Sequence, residues 1–371
     1  MLAGGRTTTK GSAAMSKNPP TPLVSVRNLD VTYGGLRDPL RAVRDVSFDV
    51  IEGETFAIIG ESGSGKTTLL LAIAGLVTVS AGSVVIEPSN GSGGIRQNSN
   101  ARPQVVFQDP DLALNPRIPI WKSVVEPLVP DRIRIPSKLR ELSLELLRLV
   151  GLDTSIAERR PHELSGGQRQ RVTIARALSS GVPLVLFDEP LSGQDVSLQA
   201  VLLQLLDRLR IERRLTYLIV SHNVASVART ADRVGVMYAG GLVEVGTAAD
   251  VISRPRHPYT QALLAAVPRV EVTGAMKRFV IQGEPPDLRN PATGCQFRTR
   301  CPYATEKCKV ESPALRESSV EGDSRLVACH HWEEVAANPL WRQSSSPENR
   351  YTLDAVRVLG AASDRDENDN D

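Results

Sequence analysis

The chain has 371 residues, and its 44 Lys and Arg against 42 Asp and Glu leave a net charge of only +2. This balance argues against a polybasic nucleic-acid binder and against an acidic disordered protein. Aromatic residues make up 4% of the chain, which disfavours recognition of nucleic acid by base stacking. Hydrophobic residues at 41% suffice for a core. No apolar run approaches the roughly 20 residues that cross a bilayer, so we expect a soluble chain.

Residues 23–265 alternate strand-like and helix-like segments, which is typical of a doubly wound α/β domain. They follow a leader over residues 1–22, rich in Gly, Thr, Ser, Lys and Pro, that is predicted to be disordered. The predicted strands are 23–27, 42–50, 55–59, 104–107, 183–187 and 216–220, and the predicted helices are 66–76, 137–150 and 196–209. A polar loop is predicted at 87–103, and a hairpin over 233–245 turns at Gly240 and Gly241.

A glycine-rich loop joins the strand 55–59 to the helix 66–76 and fits the phosphate-binding pattern GxxxxGK(S/T). Glycines let such a loop curl so that backbone N–H groups face phosphate oxygens, beside the positive end of the helix. Lys66 would contact the β- and γ-phosphates, and Thr67 would offer its hydroxyl to Mg²⁺. The candidate nucleotide-binding residues here are Gly60, Glu61, Ser62, Gly63, Ser64, Gly65, Lys66, Thr67 and Thr68. A structural Gly/Ser turn is the alternative interpretation.

An acidic pair, Asp188 and Glu189, ends the apolar strand 183–187. Ligands bind at the carboxyl edge of open α/β sheets, where this strand delivers the pair. Asp188 suits Mg²⁺, which prefers oxygen ligands, and Glu189 suits polarising an attacking water. The alternative is a solvated pair of loop acids.

Residues 164–168 read LSGGQ and continue as RQRVTIARAL, which resembles the signature of ATP-binding cassette (ABC) ATPases. Four further residues match elements of that family in the family's order, namely Tyr33 for adenine stacking, Gln108 of the Q-loop, Asp195 of the D-loop and the switch histidine His222. The resemblance covers about residues 23–265. It implies a P-loop ABC nucleotide-binding domain, with a RecA-like core, an antiparallel β subdomain and a helical subdomain at about 110–160.

The same resemblance implies that two cassettes close head to tail, each ATP lying between the phosphate loop of one and the signature of the other. The signature residues that would contact the nucleotide are Ser165, Gly166, Gly167 and Gln168, with Asp195 nearby. Catalytic roles would fall to Lys66, Gln108, Glu189 and His222, and Mg²⁺ ligation to Thr67, Gln108 and Asp188. The alternatives are a mere helix cap for Ser165, a packing role for Tyr33 and a core or surface role for His222.

Two positions depart from the family pattern. Gln194 stands in SGQD where relatives usually have SALD, and Asn223 follows the switch histidine where an acid is frequent. Both could modify communication between the two sites, but neither removes Lys66, Glu189 or His222. We therefore expect an active ATP-hydrolysing site.

All four cysteines lie in one C-terminal stretch, at Cys295, Cys301, Cys308 and Cys329. The chain starts without the apolar core of a signal peptide, so a cytosolic metal centre is favoured over disulfides. Four thiolates suit tetrahedral Zn²⁺ or a [4Fe–4S] cluster, and spacing does not separate them. His330 and His331 offer zinc another ligand set, and unligated thiols are a third interpretation.

The residues around these cysteines resemble the carboxyl extension of oligopeptide/dipeptide importer ATPases, whose matching cysteines are associated with a [4Fe–4S] cluster. The resemblance rests on RPRHPYTQALLAAVP, IQGEPPDLRNPATGCQFRTRCP and RLVACHH. The extension is predicted over 266–335, followed by a disordered acidic tail over 336–371.

This resemblance implies an ATPase subunit that energises uptake of oligopeptides or dipeptides from the cytoplasmic face of the membrane. Its implied partners are two transmembrane permease subunits, a second cassette that is a related chain or a copy of this one, and indirectly an extracytoplasmic substrate-binding protein. No nucleic-acid partner is expected. Three alternatives stay open: an importer ATPase for nickel, glutathione or another small solute, a soluble ABC ATPase that acts on DNA or ribosomes, and a metal-dependent sensor.

Overall fold

The computed structural model describes residues 22–35, 37–87, 102–129, 137–266, 283–289, 291, 293–318 and 323–339. The predicted leader, except Pro22, lies outside the described residues, as do most of the loop at 87–103 and the acidic tail from residue 340 onward. None of the helices in the described part of the chain combines the length and the apolar character needed to cross a bilayer.

The described residues form strands and helices in alternation, as the sequence predicts. The strands are β1 (Pro22–Tyr33), β2 (Leu40–Ile51), β3 (Thr55–Ile59), β4 (Ala81–Ile86), β5 (Gln104–Val106), β6 (Leu184–Asp188), β7 (Thr216–Ser221), β8 (Arg233–Tyr238), β9 (Gly241–Thr247), β10 (Arg316–Glu317) and β11 (Leu326–Val327). The α-helices are α1 (Lys66–Ile73), α2 (Pro110–Ala113), α3 (Ile120–Val125), α4 (Ser137–Leu149), α5 (Gly166–Ser179), α6 (Val196–Arg213), α7 (Val224–Thr230), α8 (Ala248–Ser253), α9 (Pro258–Ala265), α10 (Glu306–Val310) and α11 (Trp332–Ala337).

The larger sheet has eight strands in the order β10-β11-β9-β8-β3-β7-β6-β5. Its strands from β8 to β5 run parallel, and all residues of β3, β6 and β7 are buried. Continuous apolar strands suit a parallel sheet that is covered on both faces. The carboxyl ends of β3, β6 and β7 therefore lie side by side, and this edge carries the predicted site residues.

The smaller sheet is antiparallel, with the order β2-β1-β4. Its apolar face packs against the larger sheet and α1, and the ring of Phe48 stacks on that of Phe56 with centroids 4.9 Å apart. Helix α1 ends earlier than predicted, because Gly75 adopts a left-handed conformation (φ 68°) and its N–H donates to the carbonyl of Ala72.

Helices α3, α4 and α5 form a helical layer whose apolar residues, among them Ile120, Leu147 and Val172, belong to a core shared with one face of the larger sheet. Between residues 110 and 163, the described part of the chain contains helices and helical turns but no strand. The predicted α/β class is confirmed, with an antiparallel sheet and a helical layer beside the parallel sheet.

The C-terminal segment is joined to the larger sheet by hydrogen bonds. Strand β11 pairs antiparallel with β9, and β10 pairs with β11. The N–H of Ala328 donates to the carbonyl of Val243 just beyond the ladder. Phe297 is buried in the same apolar cluster as Tyr238 and Tyr259. Helix α11 continues to Ala337, two residues into the segment predicted as a disordered tail.

Candidate functional site

The glycine-rich loop lies between the end of β3 and the start of α1, as the sequence predicts. Gly65 is in a left-handed conformation (φ 102°), and a Cβ added there would lie 2.1 Å from the carbonyl oxygen of Ala42. A side chain is therefore excluded at this position for two reasons, conformation and space. The loop's backbone thus curls tightly into the N-terminus of α1, the geometry that phosphate binding requires.

Lys66, buried at the first position of α1, turns its ammonium group onto the loop. Its Nζ donates to the carbonyl oxygens of Gly60 (3.0 Å) and Glu61 (2.9 Å). Burial lowers the pKa of Lys66, whereas the nearby carboxylates of Glu189, Asp188 and Glu61 raise it. The ammonium is thus held within the loop by acceptors that anionic phosphate oxygens could replace.

The Thr67 hydroxyl donates to Asp188 Oδ1 at 3.0 Å, so the two predicted magnesium ligands are in contact. Burial raises the pKa of Asp188, opposed by the hydrogen bond from Thr67 and by the charge of Lys66. A hydroxyl and a carboxylate beside a phosphate loop are oxygen donors of the type that Mg²⁺ prefers. These two residues therefore fit the ion.

Glu189 and His222 meet at the ends of β6 and β7. His222 Nδ1 lies 3.0 Å from Glu189 Oε2, and 58% of the His222 side chain is exposed. Glu189 has a left-handed backbone (φ 47°), which is uncommon for a residue other than glycine, and its N–H donates to the carbonyl of Val220. Such strain at a carboxylate is frequent at functional sites.

The predicted Q-loop residue, Gln108, lies shortly after β5, and the predicted adenine-stacking residue, Tyr33, lies at the end of β1. Gln108 Nε2 donates to Ser192 Oγ at 3.2 Å, which connects the residue after β5 to the turn that precedes α6. Tyr33 is the last residue of β1, and 38% of it is exposed. Neither contact involves the phosphate loop, so the nucleotide roles of Gln108 and Tyr33 stay predictions.

The signature forms the N-terminus of α5, and Ser165 is its cap. Ser165 Oγ accepts the Gln168 N–H (3.3 Å), and Gln168 Oε1 accepts the Ser165 N–H (2.9 Å), which is a reciprocal capping box. A Cβ added at Gly166 or Gly167 would meet no atom within 4 Å. Among the described residues, no hydrogen bond or ion pair joins this turn to the phosphate loop of the same chain.

Asp195, which matches the D-loop, and Asn223, which departs from the family pattern, both have local roles in helix capping. Asp195 caps α6 by accepting the Leu198 N–H (2.9 Å), and hydrogen bonds from Ser197 and Leu198 lower its pKa. Asn223 caps α7 in the same way, by accepting the Ser226 N–H at 3.2 Å. An amide oxygen caps a helix as well as a carboxylate does, which explains why asparagine is tolerated after the switch histidine.

Two residues that touch the phosphate loop lie in the segments that resemble the importer extension, but sequence reasoning gave neither of them a role. Tyr259 Oη accepts the backbone N–H of Glu61 at 2.7 Å, and the guanidinium of Arg300 pairs with the Glu61 carboxylate. Nothing in the composition or spacing around Tyr259 and Arg300 signals these contacts. The only hint is the position of Arg300 directly before Cys301.

The four cysteines line one small cavity, together with His257, His330 and His331. Burial raises the pKa of Cys301 and of Cys329 to about 12, so thiols without a ligated metal are neutral there. Within the described residues, however, no group of three or more His, Cys, Asp or Glu side chains is placed to hold a metal ion. The donor set fits a thiolate-bound centre in kind and number, but a closed ligand geometry is not formed.

Comparison with known families and proteins agrees with this geometry. The family described as "ABC transporter" matches residues 43–192, and the one described as "Oligopeptide/dipeptide transporter, C-terminal region" matches residues 243–308. The second match includes three of the four cysteines.

Curated relatives align over most of both chains. The oligopeptide transport ATP-binding protein AppF of Bacillus subtilis is 41% identical over 297 residues, covering 78% of this chain and 89% of AppF. The di/tripeptide transport ATP-binding protein DppF of Pseudomonas aeruginosa is 41% identical over 298 residues, covering 80% of this chain and 91% of DppF.

Solved structures share the fold. The dimeric cassette MJ0796 in a post-hydrolysis state with ADP and Pi is 29% identical, with a TM-score of 0.51 over 61% of this chain and 98% of MJ0796. The ADP conformation of the ATP-binding cassette MJ1267 has a TM-score of 0.56 over 67% of this chain and all of MJ1267, at 22% identity. The predicted cassette fold is thereby confirmed.

Proposed function

Because this chain belongs to the ABC transporter family, among its oligopeptide/dipeptide transport ATP-binding proteins, we propose that it hydrolyses ATP to drive peptide uptake through separate transmembrane subunits. The observation that carries the proposal is a joint one. A cassette that brings Thr67 to Asp188 and His222 to Glu189 continues into a C-terminal region that matches peptide transporters. An ABC cassette from another branch of the family would lack this C-terminal region.

We assign the reaction to side chains at the edge of the larger sheet. The backbone N–H groups of residues 60–67 and the ammonium of Lys66 bind the phosphates. Mg²⁺, which Thr67, Asp188 and Gln108 would hold, supplies charge neutralisation on the β- and γ-phosphates when bound. Tyr33 stacks on the adenine.

Glu189 orients the attacking water and takes its proton. The oxygen of this water bonds to the γ-phosphorus while the bond to the β–γ bridging oxygen breaks, leaving ADP and phosphate. His222 lies within hydrogen-bond distance of Glu189 and presents an exposed ring. It can therefore contact both this carboxylate and the γ-phosphate and position them relative to each other.

The signature would act on the site of a second cassette. Ser165 caps α5 with its hydroxyl and leaves open space above Gly166 and Gly167, so this turn can receive a phosphate from a facing chain. Gln168 and Asp195 would line the same junction. The second cassette is a related chain or another copy of this one.

The remaining partners follow from transport. Two transmembrane permease subunits would contact the helical layer formed by α3, α4 and α5, and a substrate-binding protein outside the membrane would deliver the peptide. This arrangement locates the chain on the cytoplasmic face of the membrane as a peripheral subunit. Closure of the paired cassettes on ATP would drive alternating access, and hydrolysis would reset it.

We further propose a [4Fe–4S] cluster on Cys295, Cys301, Cys308 and Cys329. Support comes from four thiols around one cavity and from the family match over three of them. A bound cluster would supply a one-electron redox centre and would cross-link the C-terminal segment. Zinc on the same residues is the competing outcome of the metal analysis described below.

The test of the function is reconstitution of the chain with its permease subunits in vesicles. We expect peptide-loaded binding protein to stimulate ATP hydrolysis, and Glu189→Gln to abolish that stimulation. Stimulation by a binding protein loaded with nickel or glutathione instead would refute peptide as cargo. ATP hydrolysis stimulated by nucleic acid, without any effect of the permease subunits, would refute the transport role.

A further inference from the structure

The Cys-bearing segment reaches the phosphate loop through one side chain, that of Arg300. Its guanidinium forms a two-point ion pair with Glu61, with Nη1 3.0 Å from Oε2 and Nη2 3.2 Å from Oε1. Only 6% of the Arg300 side chain and 30% of the Glu61 side chain are exposed. The pair joins residues 239 positions apart in the sequence. This ion pair is of the stronger kind, because it is planar, has two hydrogen bonds and is largely shielded from water.

Glu61 is held at all of its polar groups. Its backbone N–H donates to Tyr259 Oη, its carbonyl accepts from Lys66 Nζ, and its carboxylate accepts from Arg300. The backbone at Glu61, between Gly60 and Gly63 of the loop, is therefore fixed in position before any nucleotide arrives. Two of these three contacts, those with Tyr259 and Arg300, come from outside the loop.

Arg300 itself is held by an aromatic cluster. Its Nη1 donates to Tyr238 Oη at 3.3 Å, and its backbone N–H donates to the carbonyl of Phe297 at 3.0 Å. The ring of Phe297 packs edge-on against Tyr238, with centroids 5.2 Å apart, and lies 5.6 Å from that of Tyr259. The cluster fixes the arginine at a defined distance from the loop.

The charges explain what this contact does. A carboxylate in the second position of a phosphate loop repels the triphosphate that the loop must bind, and the repulsion is strong in a partly buried site. The guanidinium of Arg300 cancels that charge and holds the carboxylate in one orientation. An arginine is better suited to this than a lysine because its two parallel N–H groups fix the carboxylate's orientation.

We propose that Arg300 is a positioning residue of the nucleotide site, which sets ATP affinity by neutralising and orienting Glu61. The C-terminal segment is thereby part of the nucleotide-binding machinery and no mere appendage. The proposal rests on the assignment of residues 60–67 as the phosphate loop. Because Cys295 and Cys301 pack against the same aromatic cluster, a change at the cysteines can reach the loop through this arginine.

A titration of the full-length chain with a fluorescent ATP analogue (MANT-ATP), and with MANT-ADP, tests the proposal. We expect Arg300→Gln to weaken ATP binding about tenfold and ADP binding less, because the γ-phosphate adds the charge that unpaired Glu61 repels. Glu61→Gln, which removes the carboxylate, should restore ATP affinity when combined with Arg300→Gln. Arg300→Lys, which keeps the charge without the paired donors, should lie between wild type and Arg300→Gln.

A merely structural arginine would give another pattern, in which the double variant binds ATP no better than Arg300→Gln and ATP and ADP lose affinity equally. That pattern, or an unchanged affinity in Arg300→Gln, would overturn the proposal. If Arg300→Gln does not fold, as judged by circular dichroism, Arg300→Lys takes its place. The ATP affinity of Arg300→Lys is then compared with and without Glu61→Gln.

Two further variants serve as controls. Arg298 belongs to the same turn, and its Nη1 donates to the carbonyl of Cys295. Arg298→Gln therefore alters this turn without touching Glu61. It should not change the effect of Arg300 on ATP affinity. Lys66→Ala tests the phosphate loop itself. If Lys66→Ala binds ATP as wild type does, the assignment of the loop fails, independently of the result for Arg300.

Discussion

His222 and Glu189 form a direct contact, with Nδ1 of the imidazole 3.0 Å from Oε2 of the carboxylate. The two residues follow neighbouring parallel strands, β6 and β7, whose carboxyl ends share one edge of the sheet. The left-handed backbone of Glu189 and the turn after Ser221 bring the side chains together. The contact leaves 58% of the His222 side chain exposed.

Removal of the Glu189 charge should stop hydrolysis without stopping nucleotide binding. We expect Glu189→Gln to lower the ATPase rate by about 10²-fold or more, because a positioned general base contributes roughly that much. Single-turnover phosphate release measures the rate, and MANT-ATP titration measures affinity. A rate within about threefold of wild type would exclude Glu189 as the catalytic base.

The His222 ring should act on the same step. We expect His222→Ala to reduce turnover at least about tenfold with little change in ATP affinity, since the ring contacts Glu189, which lies outside the phosphate loop. Ser221→Ala serves as a neighbouring control, because its hydroxyl accepts the Asn223 N–H and has no role in the proposed chemistry. If the two variants lose activity equally, the effect belongs to the turn and not to the imidazole.

Asn223 should be replaceable by aspartate but not by alanine. Loss of the cap on α7 in Asn223→Ala should lower the free energy of unfolding by about 1 kcal/mol, whereas Asn223→Asp preserves the acceptor. Urea unfolding of both variants measures the difference. Equal stability of the two would show that the amide oxygen does not act as a cap in solution.

A charge placed in the signature should affect a paired cassette and not the single chain. The space above Gly167 is empty within the chain, so Gly167→Asp should fold with unchanged stability and bind MANT-ATP as wild type does. In the reconstituted transporter, its ATPase rate should fall at least about tenfold, because the aspartate would face the γ-phosphate of the opposite site. Weakened ATP binding by the isolated variant would contradict a role in the facing cassette.

The cysteines should act together. Anaerobically purified protein is expected to be brown and to contain about four irons per chain, and Cys308→Ser should lose most of them. Absorption spectra with iron and zinc analysis are the measurements. A colourless, zinc-loaded protein would replace the proposed cluster by a zinc site.

Sequence reasoning predicted the hydrolytic edge of the sheet because its residues follow apolar strands in fixed patterns. Lys66, Asp188 and His222 each come directly after, or one short loop after, a buried strand, so the parallel sheet brings them together. The pair of Arg300 and Glu61 could not be predicted in this way. Arg300 lies in an irregular turn without periodicity, and its position depends on aromatic packing between distant segments.

The short strands of the C-terminal segment escaped prediction for a related reason. Strands β10 and β11 have two residues each, too few for any alternation of apolar and polar side chains to be visible. Their geometry is imposed by the ladder with β9, not by their own sequence. The end of α1 was overestimated because Gly75 acts as a helix stop only through its left-handed conformation.

The attachment of β11 to β9 also covers one edge of the larger sheet. Without the C-terminal segment, β9 would be an edge strand that exposes the unpaired N–H and C=O groups of Val243 and Val245 beside apolar side chains. Such an edge is a template for pairing with another molecule. Strand β11 covers this edge, and β10, which consists of the charged Arg316 and Glu317, forms a short polar border outside it. A chain shortened to its ATPase part would therefore be expected to aggregate, whatever its nucleotide site retained.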